Sequence, residues 1–291
     1  MSKRGEMDRL TIHSPAKLNL VLDVLGKRPD GFHELRTIFE RINLADQITL
    51  SRSKSKKINI CCSHPHVPRG PSNLVFKAAM MLAKDFSISE GLNIDIIKKI
   101  PVAAGLAGGS SNAAAVLTGL NHLWRLGMKP QKLASYASRI GSDVAFFLYD
   151  RSYALGTGRG ELIEPLDVRT KLWHVLVTPR VKMYTKEVFA RLKLNLTNKK
   201  DSVNILLPFL RKGDLTRLAG ALSNDLEPAI LSLRPDFIYL KKKLIDAGAT
   251  GVCFSGSGPS VFACVESQQH AESLRARFDR RYTQVFAVST L

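Results

Sequence analysis

Between Ile100 and Trp124 the chain carries no Lys, Arg, Asp or Glu, although charged residues make up 23% of the whole. A stretch that long without charge has few homes: a bilayer, a helix enclosed on most sides, or backbone kept clear for a ligand. Its text, PVAAGLAGGSSNAAAVLTGLNHLW, has Gly, Ser and Asn at the centre, residues that contribute little to insertion, so a membrane span is not expected. A strand-like run, Leu92 to Ile100, precedes it, and Ala113, Val116, Leu117, Leu120, Leu123 and Trp124 follow at helical spacing. The element is therefore strand, glycine-rich turn, helix. Amides at a helix start have no intrahelical acceptor and lie at the positive end of the dipole, and glycines let an anion approach them. Ser110, Ser111 and Asn112 can add contacts and cap the helix. Two readings stay open on these residues alone: an anion site, or close helix packing through small side chains. The stretch has neither the Walker lysine nor the G-x-G-x-x-G spacing, and the chain has no HRD or DFG motif.

At 291 residues there is room for two domains, and the elements read as two αβ halves with no low-complexity linker. Strands are expected at Leu10 to Ile12, Lys17 to Val24, Glu34 to Leu50 and Lys54 to Cys62. A helix begins near Leu74 with Ser72 or Asn73 as its cap, and another runs from about Lys132 to Ile140. SYALGTGRGELIEPL reads as a hairpin or loop and LWHVLVTP as a buried strand. Thr185 to about Ala247 is mostly helical with breaks at Gly213, Pro228 and Pro235. GVCFSGSGPSVFACV is two strands about a tight glycine turn, followed by the helix HAESLRARF and the strand TQVFAVS.

Net charge is +18, from 43 Lys and Arg against 25 Asp and Glu, which keeps a nucleic-acid-binding module in view. The excess is dispersed in short clusters such as KSKK and KKK, compatible with a solvated surface or with handling polyphosphates. Four cysteines without a C-x-x-C pair form neither a disulfide framework nor a zinc site, and CCSHPH from Cys61 is too cramped for one tetrahedral metal, so no metal residue is assigned. The first residues, MSKRGEMDRL, precede no apolar block; no secretory signal is expected, Met7 offers a second start, and the setting expected is cytoplasmic.

SPAKLNLVLDVLGKRPDGFHEL, PVAAGLAGGSSNAAA, GSDVAFF and SGSGPSVFA, in that order, resemble the motifs of the GHMP kinases. The likeness runs over nearly the whole chain. PAK-L-N-L followed by G-K-R-x-D-G-F-H is similar to the branch of that family whose acceptor alcohol carries a cytidine diphosphate, in the non-mevalonate isoprenoid route. The resemblance implies an α+β, two-domain GHMP kinase fold: a ribosomal-protein-like αβ domain over 1–165 and a ferredoxin-like αβ domain over 166–291, with the active site in the cleft. It implies ATP as cosubstrate with Mg2+, a small-molecule acceptor, no nucleic-acid or membrane partner, and a monomer or homodimer.

Carried over position by position, the resemblance makes Lys17 and Asp143 the catalytic pair. The phosphate loop is Pro101, Val102, Ala103, Ala104, Gly105, Leu106, Ala107, Gly108, Gly109, Ser110 and Ser111. Asn19 and His33 face the cytidyl end, Phe32 and Phe189 wall the cytosine, and Thr185 reaches the diphosphate. Those roles are chemically coherent. A carboxylate accepts the hydroxyl proton, and an ammonium keeps it ionised and supplies the formal charge that the loop lacks. The chain departs from the family at Phe32, where tyrosine is frequent, at Ser142 and Ala145 beside the aspartate, and at Asn112, where aspartate is common. A kinase acting on another small alcohol, such as mevalonate or homoserine, is the nearest rival.

Overall fold

The computed structural model describes residues 9–193, 201–278 and 284–291. Met7, the helical text over 194–200 and Thr283 lie outside the described residues. The chain divides into two units of dense internal contact: Met1–Ala16, Leu44–Val102 and Ala107–Asp150, and Lys17–Asn43, Ala103–Leu106 and Arg151–Leu291. Two long strands, β1 (Arg9–Lys27) and β2 (His33–Ser53), contribute residues to both, a sharing that a single cut at residue 165 does not represent. β1 absorbs two of the expected strands into one.

In the first unit, β4 (Gly91–Ile97) pairs antiparallel with the second half of β2, from Gln47 opposite Ile97 to Ser53 opposite Gly91, and parallel with β3 (Ile58–Cys62). The parallel pair is joined through α1 (Leu74–Asp85), whose cap is Asn73: its side chain accepts the Val75 amide. α1 packs against α2 (Gly108–Leu123) and α3 (Pro130–Ile140). α2 is the uncharged helix of the sequence, and Ser111 through Leu117 are buried on every side. A β-carbon on Gly119 would stand 2.5 Å from Ile12 and from Leu50, so the helix lies on the strands at a distance only glycine allows. Enclosure, not a bilayer, explains the missing charge. Among the described residues no helix is long and apolar enough to cross a membrane.

In the second unit, β7 (Trp173–Thr178), β9 (Gly251–Phe254), β10 (Val261–Val265) and β11 (Gln284–Ser289) form an antiparallel sheet in the order β11-β7-β10-β9. With helices between β7 and β9 and α9 (Gln268–Arg277) between β10 and β11, this is the βαββαβ wiring of a ferredoxin-like domain, as expected. Its core gathers Val175, Val177, Phe254, Val261 and Ala263 with Phe237, Leu240 and Leu244 of α8 (Phe237–Asp246). The GTGRG text is the turn of a hairpin between β5 (Tyr153–Gly158) and β6 (Leu162–Leu166), and β5 pairs with the first half of β2. The expected helical stretch holds α4 (Thr185–Ala190), α5 (Ser202–Lys212), α6 (Leu215–Ala221), α7 (Glu227–Leu233) and α8. It is interrupted by β8 (Ser223–Asn224), which pairs parallel with β1 at Val21 and Leu22. Two residues are too short to show a period of two in sequence. Gly213 ends α5 in a left-handed conformation, whereas Pro228 starts α7 instead of breaking a helix, the position where a missing amide costs nothing.

Candidate active site

The loop after β4 belongs partly to each unit: Pro101 and Val102 to the first, Ala103 to Leu106 to the second, and Ala107 onward to the first. In the first unit its flanks are fastened by one carboxylate. Asp46 is fully buried; its Oδ1 accepts the Lys99 amide at 2.7 Å and the Ile100 amide at 2.9 Å, and its Oδ2 accepts Asn112 Nδ2 at 2.9 Å and the Lys98 ammonium. Ser14 Oγ accepts a second bond from Asn112 Nδ2 at 2.9 Å and donates to Ser111 Oγ at 2.7 Å. Ser111 and Asn112 therefore turn inward and do not cap α2, correcting the sequence-based expectation for them. The cap position is Ala107, with φ of +53° and no side-chain bond. The first backbone bond back to it comes from the Ser111 amide, so the amides of Gly108, Gly109 and Ser110 precede the helical ladder. With no acidic side chain in the first turn, this helix start favours an anion. Lys98 Nζ lies beside it, 3.1 Å from where a Gly108 β-carbon would stand, its charge paired with Asp46.

Asp143 lies in a 3-10 segment, Ser142–Leu148, that packs against α2 and α3. Val144, Ala145 and Phe146 of the same segment are buried, so the half-buried carboxylate stands on an anchored backbone.

The second unit holds Lys17. Only 4% exposed, its ammonium donates to Asn19 Oδ1 and lies 5.4 Å from the centre of the Phe39 ring, while Asn19 Nδ2 donates to Thr37 Oγ1 at 2.8 Å. Asn19 is itself 2% exposed and its amide is committed at both ends, so it holds the lysine and has little surface to offer an acceptor. The Lys17 amide bonds to Leu106 O at 3.2 Å. Gly105, at φ +74°, approaches the SGSGPS turn so closely that a β-carbon would fall 2.1 Å from Ser255 O, and Ser255 Oγ donates to Gly105 O at 3.0 Å. Gly256, at φ +55°, completes the contact: a β-carbon there would be 3.4 Å from Asn19 Oδ1 and 3.5 Å from Lys17 Nζ. The SGSGPS turn thus meets the loop through glycine backbones. Asn224 of β8 fixes the turn, donating to Phe254 O at 3.0 Å and Gly256 O at 2.8 Å while accepting the Leu226 amide.

His33 and Phe189 also meet, with ring centres 4.9 Å apart and planes 31° apart. Phe189 therefore lies against the imidazole and packs on the core. Burial, then the charge of Lys27, lowers the His33 pKa, so the ring is neutral near pH 7, with one donor and one acceptor. Phe32, by contrast, is 52% exposed. Thr185 opens α4, its Oγ1 3.0 Å from Ser257 Oγ in the glycine turn. Lys17 and Asp143 fall in different units.

Asp46, Lys98 and Asn224 escape a sequence reading, because a lone Asp or Asn on a strand, or a lone Lys just past one, carries no spacing signal. Among the described residues no group of three or more His, Cys, Asp or Glu could hold a metal, and the four cysteines are free.

The chain matches the family models for the GHMP kinases N terminal domain over residues 73–151 and GHMP kinases C terminal over 206–284. A 4-diphosphocytidyl-2-C-methyl-D-erythritol kinase of Geobacillus kaustophilus is 42% identical, with 97% of each chain covered. One of Shouchella clausii is 40% identical over 96% of this chain and 94% of that protein. Among solved structures, a 4-(cytidine 5'-diphospho)-2C-methyl-D-erythritol kinase superposes with a TM-score of 0.83 at 30% identity, covering 96% of this chain and 98% of the other. A homoserine kinase from Cytophaga hutchinsonii, 22% identical with a TM-score of 0.78 and coverage of 100% and 97%, shares the fold.

Proposed function

The chain belongs to the GHMP kinase family, and on that premise we propose that it phosphorylates the 2-hydroxyl of 4-diphosphocytidyl-2-C-methyl-D-erythritol with ATP. The observation that supports this acceptor best is the near full-length likeness to relatives of that name. The acceptor oxygen forms a bond to the γ-phosphorus as the bond to the β–γ bridging oxygen breaks, and ADP leaves with no phosphoenzyme. Asp143 takes the hydroxyl proton, and Lys17, aimed by Asn19, offsets charge on the phosphoryl oxygens. The amides of Gly108, Gly109 and Ser110 hold phosphate oxygens, with the Asp46 network keeping the loop's flanks in place. Neutral His33 reads the cytosine edge, Phe32 supplies a stacking face, and Thr185 contacts the diphosphate. The described residues do not fit a protein cage for Mg2+, so the ion comes with the nucleotide, neutralising phosphate charge, and no protein ligand is assigned to it. We place the reaction in the cytoplasm.

Incubation with ATP, Mg2+ and the cytidyl-erythritol acceptor should release ADP, whereas mevalonate and homoserine should give none above background. Faster turnover on either of those alcohols would overturn the acceptor assignment. The two glycine types of the loop should separate by stability against ATP affinity. Gly105→Ala meets both a positive φ and the Ser255 carbonyl, and should cost about 1–3 kcal/mol of stability, read from urea unfolding. Gly109→Ala meets nothing within 4 Å in the protein and should keep full stability, yet weaken ATP about tenfold by disturbing one hydrogen bond to a charged group. An ATP affinity unchanged by Gly109→Ala would remove that amide from the phosphate site.

A further inference from the structure

A phenylalanine that is half exposed usually sits where a loop is free to bury it. Phe32 is instead fixed from several sides. Its amide donates to Asp30 Oδ1 at 3.1 Å, its carbonyl accepts the Arg28 amide at 2.8 Å, and Arg28 is in turn ion-paired to Asp30 and Glu34. The side chain is held from a second turn. The Arg159 guanidinium carbon stands 4.8 Å from the centre of the Phe32 ring.

Arg159 is itself aimed. Glu161 accepts its amide at 2.5 Å and its Nε at 3.3 Å, and the Glu161 carboxylate fills the space that a β-carbon on Gly158 (φ +71°) would take, 3.0 to 3.2 Å away. The pairing of Leu35 with Gly158 places this hairpin tip beside the turn that carries Phe32. The G-R-G-E text, a loop when read alone, is thus a device that presents a planar cation to one face of an exposed aromatic ring. Nothing in folding calls for it, since 52% of Phe32 remains in water. A ring gripped on one face and open on the other is prepared for a flat ligand.

We propose that Arg159 is a specificity-determining residue for the acceptor: it clamps Phe32 in the orientation in which the ring's open face stacks on a pyrimidine base. This rests on the assignment of a cytidyl acceptor. The contribution of such a contact near the surface is about 0.5–1 kcal/mol, equivalent to about two- to fivefold in affinity. Arg159→Ala should therefore raise the acceptor KM about two- to fivefold, with the loss falling on that KM more than on kcat and with the ATP KM moving much less. Arg159→Lys, which keeps a cation on the same hairpin, should recover part of the loss. In a Phe32→Leu background the Arg159→Ala effect should vanish, because there is no ring left to hold.

An unchanged acceptor KM in Arg159→Ala, an equal rise in the ATP KM, or the same effect in the Phe32→Leu background would each overturn the proposal. Those outcomes presuppose that the unaltered enzyme turns over the cytidyl acceptor. Absence of that turnover would instead sink the acceptor assignment itself.

Discussion

Asp143→Asn is expected to lower kcat by about 10²–10⁴-fold, the usual contribution of a positioned general base, while calorimetric titration with ATP gives a Kd within about twofold of the unaltered enzyme. The amide is isosteric with the carboxylate but cannot take a proton. The segment carrying it is held by Val144, Ala145 and Phe146, so the substitution leaves its backbone anchor untouched. ATP binding is preserved because the phosphate contacts proposed above are amides of a different element. Lys17→Met should be comparably damaging for another reason. It removes the one formal charge held by Asn19, leaving Asn19 Oδ1 buried without its donor, so both transfer and stability should fall. Turnover of Asp143→Asn near the original rate would exclude the base assignment, and an undamaged Lys17→Met would return the lysine to a structural role.

Much of this arrangement was legible in the amino acids because it is local. The uncharged run announced an enclosed helix behind a glycine turn, the Asn73 cap preceded a periodic stretch, and the alternation around GVCFSGSGPSVFACV declared a hairpin-like turn. What escaped depends on partners far apart in the chain. Ser111 and Asn112 look like caps by position, yet Ser14 and Asp46, many residues away, draw them inward. Asn19 looks like a ligand contact until Lys17 and Thr37 are seen to occupy its amide. Arg159 carries no signal before the register of β2 and β5 sets it beside Phe32. Periodicity encodes which face of an element is buried, but the identity of the group opposite is a property of pairing, and pairing is not written locally.

The same limit hid a buried ion pair with the largest stability effect expected in the molecule. His174 and Glu40 are both fully buried, with His174 Nε2 2.9 Å from Glu40 Oε2; the other imidazole nitrogen faces Cys264 Sγ at 3.3 Å. Thr290 donates to Glu40 Oε1 at 2.6 Å and accepts the Leu172 amide at 2.8 Å, so the pair also fastens the C-terminal residues to β2 and β7. Burial by itself would lower the His174 pKa, but the adjacent carboxylate outweighs it and the pKa is pushed up to about 10 from an ordinary 6.5. A folded-state pKa above the unfolded one means that the native state binds the proton more tightly. The stabilisation is therefore complete below about pH 6.5 and drains away as pH rises through about 10. Glu40→Gln leaves the imidazolium buried without its counter-charge and should cost about 3–5 kcal/mol at pH 6, read from urea unfolding. Because the variant loses the carboxylate that raises the histidine pKa, its stability should vary much less between pH 7 and 10, and the gap to the unaltered protein should narrow toward the alkaline end. Parallel curves across that range would show that the imidazole is neutral in the fold and that Glu40 acts only as a hydrogen-bond acceptor.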